Sequence, residues 1–224
     1  MSMLSNLELI RRVPLFAMLT AGQAEAVAEA VIKRRFKRGE LVVEQGKKSN
    51  ALFIILTGRT RVFTSDARGR EVILASMQPG DYIGEMSLID NEPHSASVRA
   101  EVQTDVLMLG RLEFARCLPE NTSMAYAVMK GLVQRLRSAD RKIESLALMD
   151  VYGRVARALM EAAEVDNSGT TVIRDKVSRQ DLAKMVGASR EMVSRVMKDL
   201  EERGYIETQE NGSVIIRERL AAMG

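Results

Sequence analysis

Arg190, Glu191, Ser194, Arg195 and Lys198 stand at i, i+1, i+4, i+5 and i+8, a spacing that gathers them on one face of a helix. An arginine placed there can donate two hydrogen bonds to guanine O6 and N7, and a carboxylate can accept from cytosine N4. Val193, Val196, Met197 and Leu200 fall at i, i+3, i+4 and i+7 and form the opposite, apolar stripe. Five bases stand against two acids between Ser178 and Lys198, whereas Asp199 to Glu210 carries five acids and one base. One surface of this region is therefore selectively basic, as contact with a phosphate backbone requires. The alternative is a solvated face with internal Arg-Glu pairing.

The elements that must position these residues are legible around them. Ser178, with Asp181 three residues on, resembles a capping box that opens a helix, and Gly187 stops it. Ser189 can cap the next helix, which runs to about Arg203 before Gly204. Tyr205 to Thr208 and Ser213 to Arg217, separated by Glu210-Asn211-Gly212, read as a β-hairpin. Two helices joined by a tight Gly turn and followed by a hairpin make a winged helix-turn-helix.

Upstream the hydrophobic period is different. From about Phe36 to Gly110 it predicts short strands at Leu41 to Val43, Leu52 to Leu56, Arg61 to Phe63 and Val72 to Leu74, separated by Gly and Pro turn signals. Many short strands at this spacing suggest a β-roll or barrel. From Pro119 onward the spacing is helical, and Ala125, Met129, Leu132, Leu136, Ala139, Ile143 and Leu146 recur at intervals of four and three, as in a coiled-coil seam. A helix packed on its own domain is the alternative. A shorter helix follows from about Val151 to Glu164, and Asp166-Asn167-Ser168-Gly169 marks a loop.

At 224 residues and 46% hydrophobic content the chain can bury one large core or two modest ones. The segment Met1 to Val13 lacks the unbroken apolar stretch of a secretory signal, and no run approaches the roughly 18 apolar residues of a membrane span. A soluble, cytoplasmic protein with no membrane partner is expected. The single cysteine, Cys117, excludes an intramolecular disulfide and a cluster held by several thiolates, and reads as a small core residue. The fourteen methionines read as core filling, so no metal is expected. His94 has no Ser-His-acid arrangement around it in sequence, which argues against an enzyme.

Residues 178–195, Ser-Arg-Gln-Asp-Leu-Ala-Lys-Met-Val-Gly-Ala-Ser-Arg-Glu-Met-Val-Ser-Arg, resemble the helix-turn-helix of the CRP/FNR family, nearest its catabolite activator branch. The similarity extends over nearly the whole chain, including Leu146 to Val155 at the domain junction. It implies an α+β architecture: a cyclic-nucleotide-binding β-roll over residues 1–118, a long dimerisation helix over 119–149 and a winged helix-turn-helix over 150–224. It further implies a homodimer on double-stranded DNA, with RNA polymerase as a partner. Positions matching Arg190, Glu191 and Arg195 read a TGTGA-like half-site in that family, and this chain keeps all three residue types. Half-sites about one helical turn, roughly 34 Å, apart are expected. Arg179, Gln180, Ser189, Ser194 and Lys198 complete the expected DNA-contacting set.

Gly80-Asp81-Tyr82-Ile83-Gly84-Glu85-Met86-Ser87-Leu88, followed by Pro93 to Ala100, resembles the family's phosphate-binding cassette. Gly84 permits close backbone approach, and Glu85 can accept from a ribose 2′-hydroxyl. The Ser95 hydroxyl and the Ser95 and Ala96 amides can donate to a cyclic phosphate. Met86 belongs to the same cassette. Two departures bear on the ligand. His94 stands where cAMP-binding members place an arginine, so a charged clamp is replaced by a weaker, pH-sensitive donor. The two hydroxyl residues that contact adenine in the catabolite activator branch align with Ala139 and Asp140. A carboxylate at Asp140 could accept from guanine N1-H and the N2 amino group, which favours a guanine nucleotide, and Arg137 and Arg141 could serve the second phosphate of cyclic di-GMP. The expected effector is cyclic di-GMP or cAMP. Three alternatives stay open: a surface pair between Asp140 and Arg137, an effector-independent regulator with a degenerate pocket, and a cyclic-nucleotide-binding module acting on a protein partner.

Overall fold

The computed structural model describes residues 5–17, 19–120, 122–166 and 169–217, and leaves the side chains of residues 117–124 outside that description. The sequence readings at Cys117 and at Asn167-Ser168 lie outside the described residues. The chain forms two compact units, Met1–Leu136 and Arg137–Gly224.

In the first unit, α1 (Asn6–Ile10), a 3-10 turn (Pro14–Phe16) and α2 (Ala21–Ala30) precede the strands. Reciprocal capping boxes, Ser5 with Glu8 and Thr20 with Gln23, open the two helices. The strands are β1 (Ile32–Phe36), β2 (Leu41–Val43), β3 (Ala51–Thr57), β4 (Thr60–Ser65), β5 (Glu71–Met77), β6 (Tyr82–Ile83), β7 (Ser97–Ala100) and β8 (Thr104–Gly110), with α3 (Glu85–Asp90) between β6 and β7. They build two antiparallel sheets, ordered β1-β8-β3-β6 and β2-β7-β4-β5. The unbroken apolar run of β3 follows from burial on both of its faces. Leu52 and Ile54 pack with Leu107, Leu109, Ile10, Phe16 and Phe114, while Phe53 and Ile55 pack with Phe36, Val43, Val98 and Val106.

The strands expected from sequence form, but β1 starts four residues before Phe36. Lys33, Arg34 and Arg35 mask it, because at the edge of a sheet these side chains stay exposed and supply no apolar alternation.

Two helices follow, α4 (Arg111–Glu120) and the 27-residue α5 (Thr122–Leu148). Tyr126, Met129, Val133, Leu136, Ile143 and Leu146 are exposed along α5, although all are large and apolar. Leu132, expected in the seam, instead packs on the core of the first unit. The exposed line therefore runs 126, 129, 133, 136, 140 and 143, with alternate steps of three and four. That is a heptad seam in which Asp140 takes the place of an apolar residue.

The second unit contains α6 (Val151–Ala162), β9 (Glu164–Val165), β10 (Thr171–Ile173), α7 (Arg179–Val186), α8 (Arg190–Glu202), β11 (Ile206–Thr208) and β12 (Val214–Ile216). The hairpin pairs Ile206 with Ile216 and Thr208 with Val214. Two short strands that sequence reasoning did not find extend it into the order β11-β12-β10-β9, since two- and three-residue strands carry too little periodicity to be read. Val155, Leu159, Leu182, Val186, Val193, Met197, Leu200 and Val214 form its core. Among the described residues no helix is long and apolar enough to cross a membrane, and no cluster of His, Cys, Asp and Glu could hold a metal ion.

A candidate ligand cleft and a candidate nucleic-acid interface

A cleft in the first unit is lined by Gly84, Glu85, Met86, Ser87, His94, Ser95, Ala96 and Arg135, over an apolar floor that includes Val62, Ile83 and Val98. All six cassette residues singled out in the sequence meet there. Gly84 has φ +95, and a Cβ at that position would stand 3.0 Å from the Ala51 carbonyl oxygen and 3.5 Å from His94 Cε1. Only glycine lets the chain turn into α3 so close to its neighbours. Arg111 donates to the Ser87 carbonyl at 3.0 Å, and the Ser87 hydroxyl donates to the Glu92 carbonyl at 2.6 Å, so the backbone after the turn is fixed as well.

Glu85 is 1% exposed, and its carboxylate is paired with the guanidinium of Arg135 on α5. Burial pushes the Glu85 carboxyl up, and the Arg135 charge and the Gly84 and Glu85 amides oppose that rise. The carboxylate expected to accept from a ribose hydroxyl is thus already engaged, and a ligand must compete with or join this pair. Arg135 also donates to the Tyr82 carbonyl and stands over the Tyr82 ring, with Cζ 5.1 Å from its centroid. Sequence reasoning missed Arg135. The seam read from sequence included Leu132 and so gave no sign of it; in the structure Arg135 falls on the face of α5 opposite the exposed line, with Val128 and Leu132.

His94 is 8% exposed, and its Nε2 lies 2.9 Å from Ser49 Oγ. Burial holds its imidazole below the ordinary value of about 6.5, which makes it neutral at pH 7. Its amide donates to the Lys47 carbonyl and its carbonyl accepts from the Gly46 amide, both at 2.9 Å, so the backbone that carries the ring is fixed. Ser95 is exposed and lines the cleft. Arg137, Asp140 and Arg141 are exposed on the part of α5 that belongs to the second unit.

In the second unit Ser178 caps α7 by accepting from the Asp181 amide at 3.3 Å, Gly187 ends it at φ +64, and Ser189 caps α8 by accepting from the Met192 amide at 3.2 Å. Val193, Val196, Met197 and Leu200 are buried, and Arg190, Glu191, Ser194, Arg195 and Lys198 are exposed. The two faces of the helix separate as its spacing predicted. Hydrogen bonds from its own amide and the Ser189 hydroxyl, with the charges of Arg190 and Arg195, hold the Glu191 carboxyl below its ordinary value. The Ser194 hydroxyl donates to the Arg190 carbonyl at 2.8 Å, which occupies its proton inside the helix. Lys198 pairs with Glu202 at 3.4 Å and Arg179 with Glu201 at 3.7 Å, while Gln180 is exposed at the start of α7. Arginines at the N-terminal end of an exposed helix face, around a carboxylate kept ionised, form a donor and acceptor array suited to base edges.

Comparison with known proteins gives matches to both units. Residues 33–121 match the cyclic nucleotide-binding domain, and residues 153–223 match the Crp-like helix-turn-helix domain. The chain is similar to the cAMP-activated global transcriptional regulator Vfr of Pseudomonas aeruginosa, with 32% identity over 193 residues that cover 84% of this chain and 90% of the relative. It is 28% identical to the CRP-like cAMP-activated global transcriptional regulator of Mycobacterium tuberculosis, over 96% of this chain and 97% of that one. Among solved structures it is similar to the c-di-GMP responsive global regulator CLP of Xanthomonas campestris, with a TM-score of 0.77 and 26% identity, covering 88% of this chain and 99% of that one.

Proposed function

Because the chain belongs to the CRP/FNR family of transcription regulators, we propose that it acts as a homodimer on a TGTGA-like palindrome and that a cyclic nucleotide in the first-unit cleft gates its DNA binding. The observation that carries the DNA reading is the exposed face of α8, on which Arg190, Glu191 and Arg195 stand together above a fully buried stripe. In this proposal Arg190 and Arg195 donate to guanines, Glu191 accepts from a cytosine, and Arg179, Gln180, Ser189 and Lys198 contact phosphates. Ser194, whose proton is held by the helix, serves as a close-packing residue at the groove. In this reading residues 1–118 form the effector domain, 119–149 the dimerisation segment, whose helix is α5 (Thr122–Leu148), and 150–224 the DNA-binding domain.

For the effector, the Pseudomonas relative is cAMP-activated and the Xanthomonas relative c-di-GMP responsive. Asp140 on the seam of α5 favours guanine donors, so cyclic di-GMP is proposed ahead of cAMP. Gly84, Glu85, Met86, His94, Ser95 and Ala96 would hold one ribose-phosphate unit, and Arg137, Asp140 and Arg141 the base and second phosphate. Titration calorimetry of the full chain against cyclic di-GMP, cyclic GMP and cAMP tests this. Binding of cyclic di-GMP is the expected result, whereas no heat with any of the three would leave an effector-independent regulator.

His94 gives this binding a pH dependence of definite sign. Besides His94, the ionisable groups lining the cleft are Glu85 and Arg135, which neutralise each other. An anionic phosphate beside His94 favours the imidazolium, so ligand binding takes up a proton. Nucleotide affinity should therefore rise as pH falls from 7.5 toward 6, by up to about tenfold per pH unit for one coupled proton. His94→Gln should flatten that slope, and a slope unchanged by the substitution would remove His94 from the phosphate site.

A further inference from the structure

We infer that Tyr82 and Gly131 form a fulcrum that ties the position of α5 to the occupancy of the cleft, an inference that rests on the cleft being an effector site. Tyr82 is a buried residue of β6, three positions before Glu85. Its hydroxyl donates to the backbone of α5, at 3.2 Å from the Val128 carbonyl oxygen and 3.4 Å from that of Ala127. The hydroxyl can reach the helix backbone only because residue 131 has no side chain. A Cβ there would lie well inside van der Waals contact with Tyr82 Oη and 2.9 Å from Cζ. Glycine in the middle of a helix weakens it, and the Tyr82 hydroxyl supplies the packing reason for its presence here.

One turn further on, Arg135 makes the second attachment, to the Glu85 carboxylate and the Tyr82 carbonyl. Val128, Gly131 and Arg135 stand at i, i+3 and i+7 on one face of α5, while Tyr126, Met129, Val133 and Leu136 are exposed. The two attachments differ in kind. Arg135 and Glu85 line the cleft, so a ligand hydroxyl seeking Glu85 contends directly with Arg135, whereas Tyr82 does not line it. A ligand that takes Glu85 loosens the attachment at Arg135 and leaves the one at Gly131 in place. The helix then turns about the Tyr82 hydroxyl, and its exposed face shifts against whatever covers it. Tyr82 and Gly131 are thus positioning residues that convert a change at Glu85 into a change of α5.

The test uses the full chain, a fluorescent TGTGA-like palindrome, and cyclic di-GMP and cAMP as probes, with the variants Tyr82→Phe, Gly131→Ala and the double substitution. Calorimetry reads nucleotide affinity, and anisotropy reads the ratio of DNA affinities with and without nucleotide. Allosteric ratios are commonly about 5- to 150-fold. Tyr82→Phe should keep nucleotide affinity within about threefold and lower the ratio at least threefold. Gly131→Ala should bring the ratio close to one, and adding Tyr82→Phe to it should recover part of the loss, because the phenyl ring removes the worst contact, at Oη, and leaves only the 2.9 Å approach to Cζ. Should Gly131→Ala fail to fold, Tyr82→Phe alone decides. A wild-type ratio in Tyr82→Phe, or a double substitution no better than Gly131→Ala in a folded protein, overturns the fulcrum. Failure of the wild-type chain to bind any nucleotide overturns the effector reading and the fulcrum with it.

Discussion

Replacing Leu136 and Ile143 together by glutamate should yield a folded monomer that binds the palindrome at least about a hundredfold more weakly than the parent chain. Both side chains are large, apolar and more than 60% exposed, at 62% and 65%, and they stand seven residues apart on the seam of α5. Isolated exposed apolar side chains are ordinary on a protein surface, but a line of large ones at heptad spacing on a 27-residue helix is not. In the proposed homodimer a second copy of the same helix buries that line, and two glutamates at its centre would place like charges opposite each other in the seam. The functional loss follows from avidity: two linked DNA-binding domains gain about 10² to 10⁴ over one. Sedimentation and DNA anisotropy should therefore change together, while affinity for an isolated half-site stays within a few-fold. A variant that sediments as a dimer would place the interface elsewhere.

Arg190→Ala should cost about 1 to 3 kcal/mol on the specific site and relax discrimination at one guanine, leaving binding to unrelated DNA little changed. Arg190 is the first residue of α8 and is exposed, and truncating it leaves the buried stripe at Val193, Val196, Met197 and Leu200 intact. The loss is therefore expected in recognition and not in folding. Lys198→Ala provides the contrast, because a phosphate contact carries no sequence information. It should weaken all sequences alike and lower the salt dependence by about one unit of slope. Uniform weakening by Arg190→Ala would reduce that arginine to a backbone contact.

The DNA-facing half of this protein was legible in the sequence because its determinants are local. Helix spacing separates Val193 from Arg190, and the caps at Ser178 and Ser189 and the stop at Gly187 each act within four residues. The cleft was half legible. Gly84 and Glu85, and His94 to Ala96, lie in two short runs that fold onto each other, but the partner of Glu85 is 50 residues away on a helix. Nothing near Glu85 announces Arg135, and nothing near Gly131 announces Tyr82. Such pairs become visible only when the face of α5 that packs on the first unit is known. Leu132 shows the same limit from the other side, since a seam position and a core position look alike in sequence and differ only in what covers them. The edge strand β1 was obscured for the opposite reason, by charges that a solvent-facing strand can carry without cost.

In the proposed function one ligand changes how tightly this chain holds one DNA sequence. Fluorescence anisotropy with a TGTGA-like palindrome and a scrambled duplex, each titrated with and without cyclic di-GMP and cAMP at fixed salt, measures both parts of it. Preference for the palindrome is expected, with a shift in its affinity of about fivefold or more in the presence of at least one nucleotide. Equal affinity for the two duplexes, or an affinity for the palindrome that neither nucleotide moves, would contradict it.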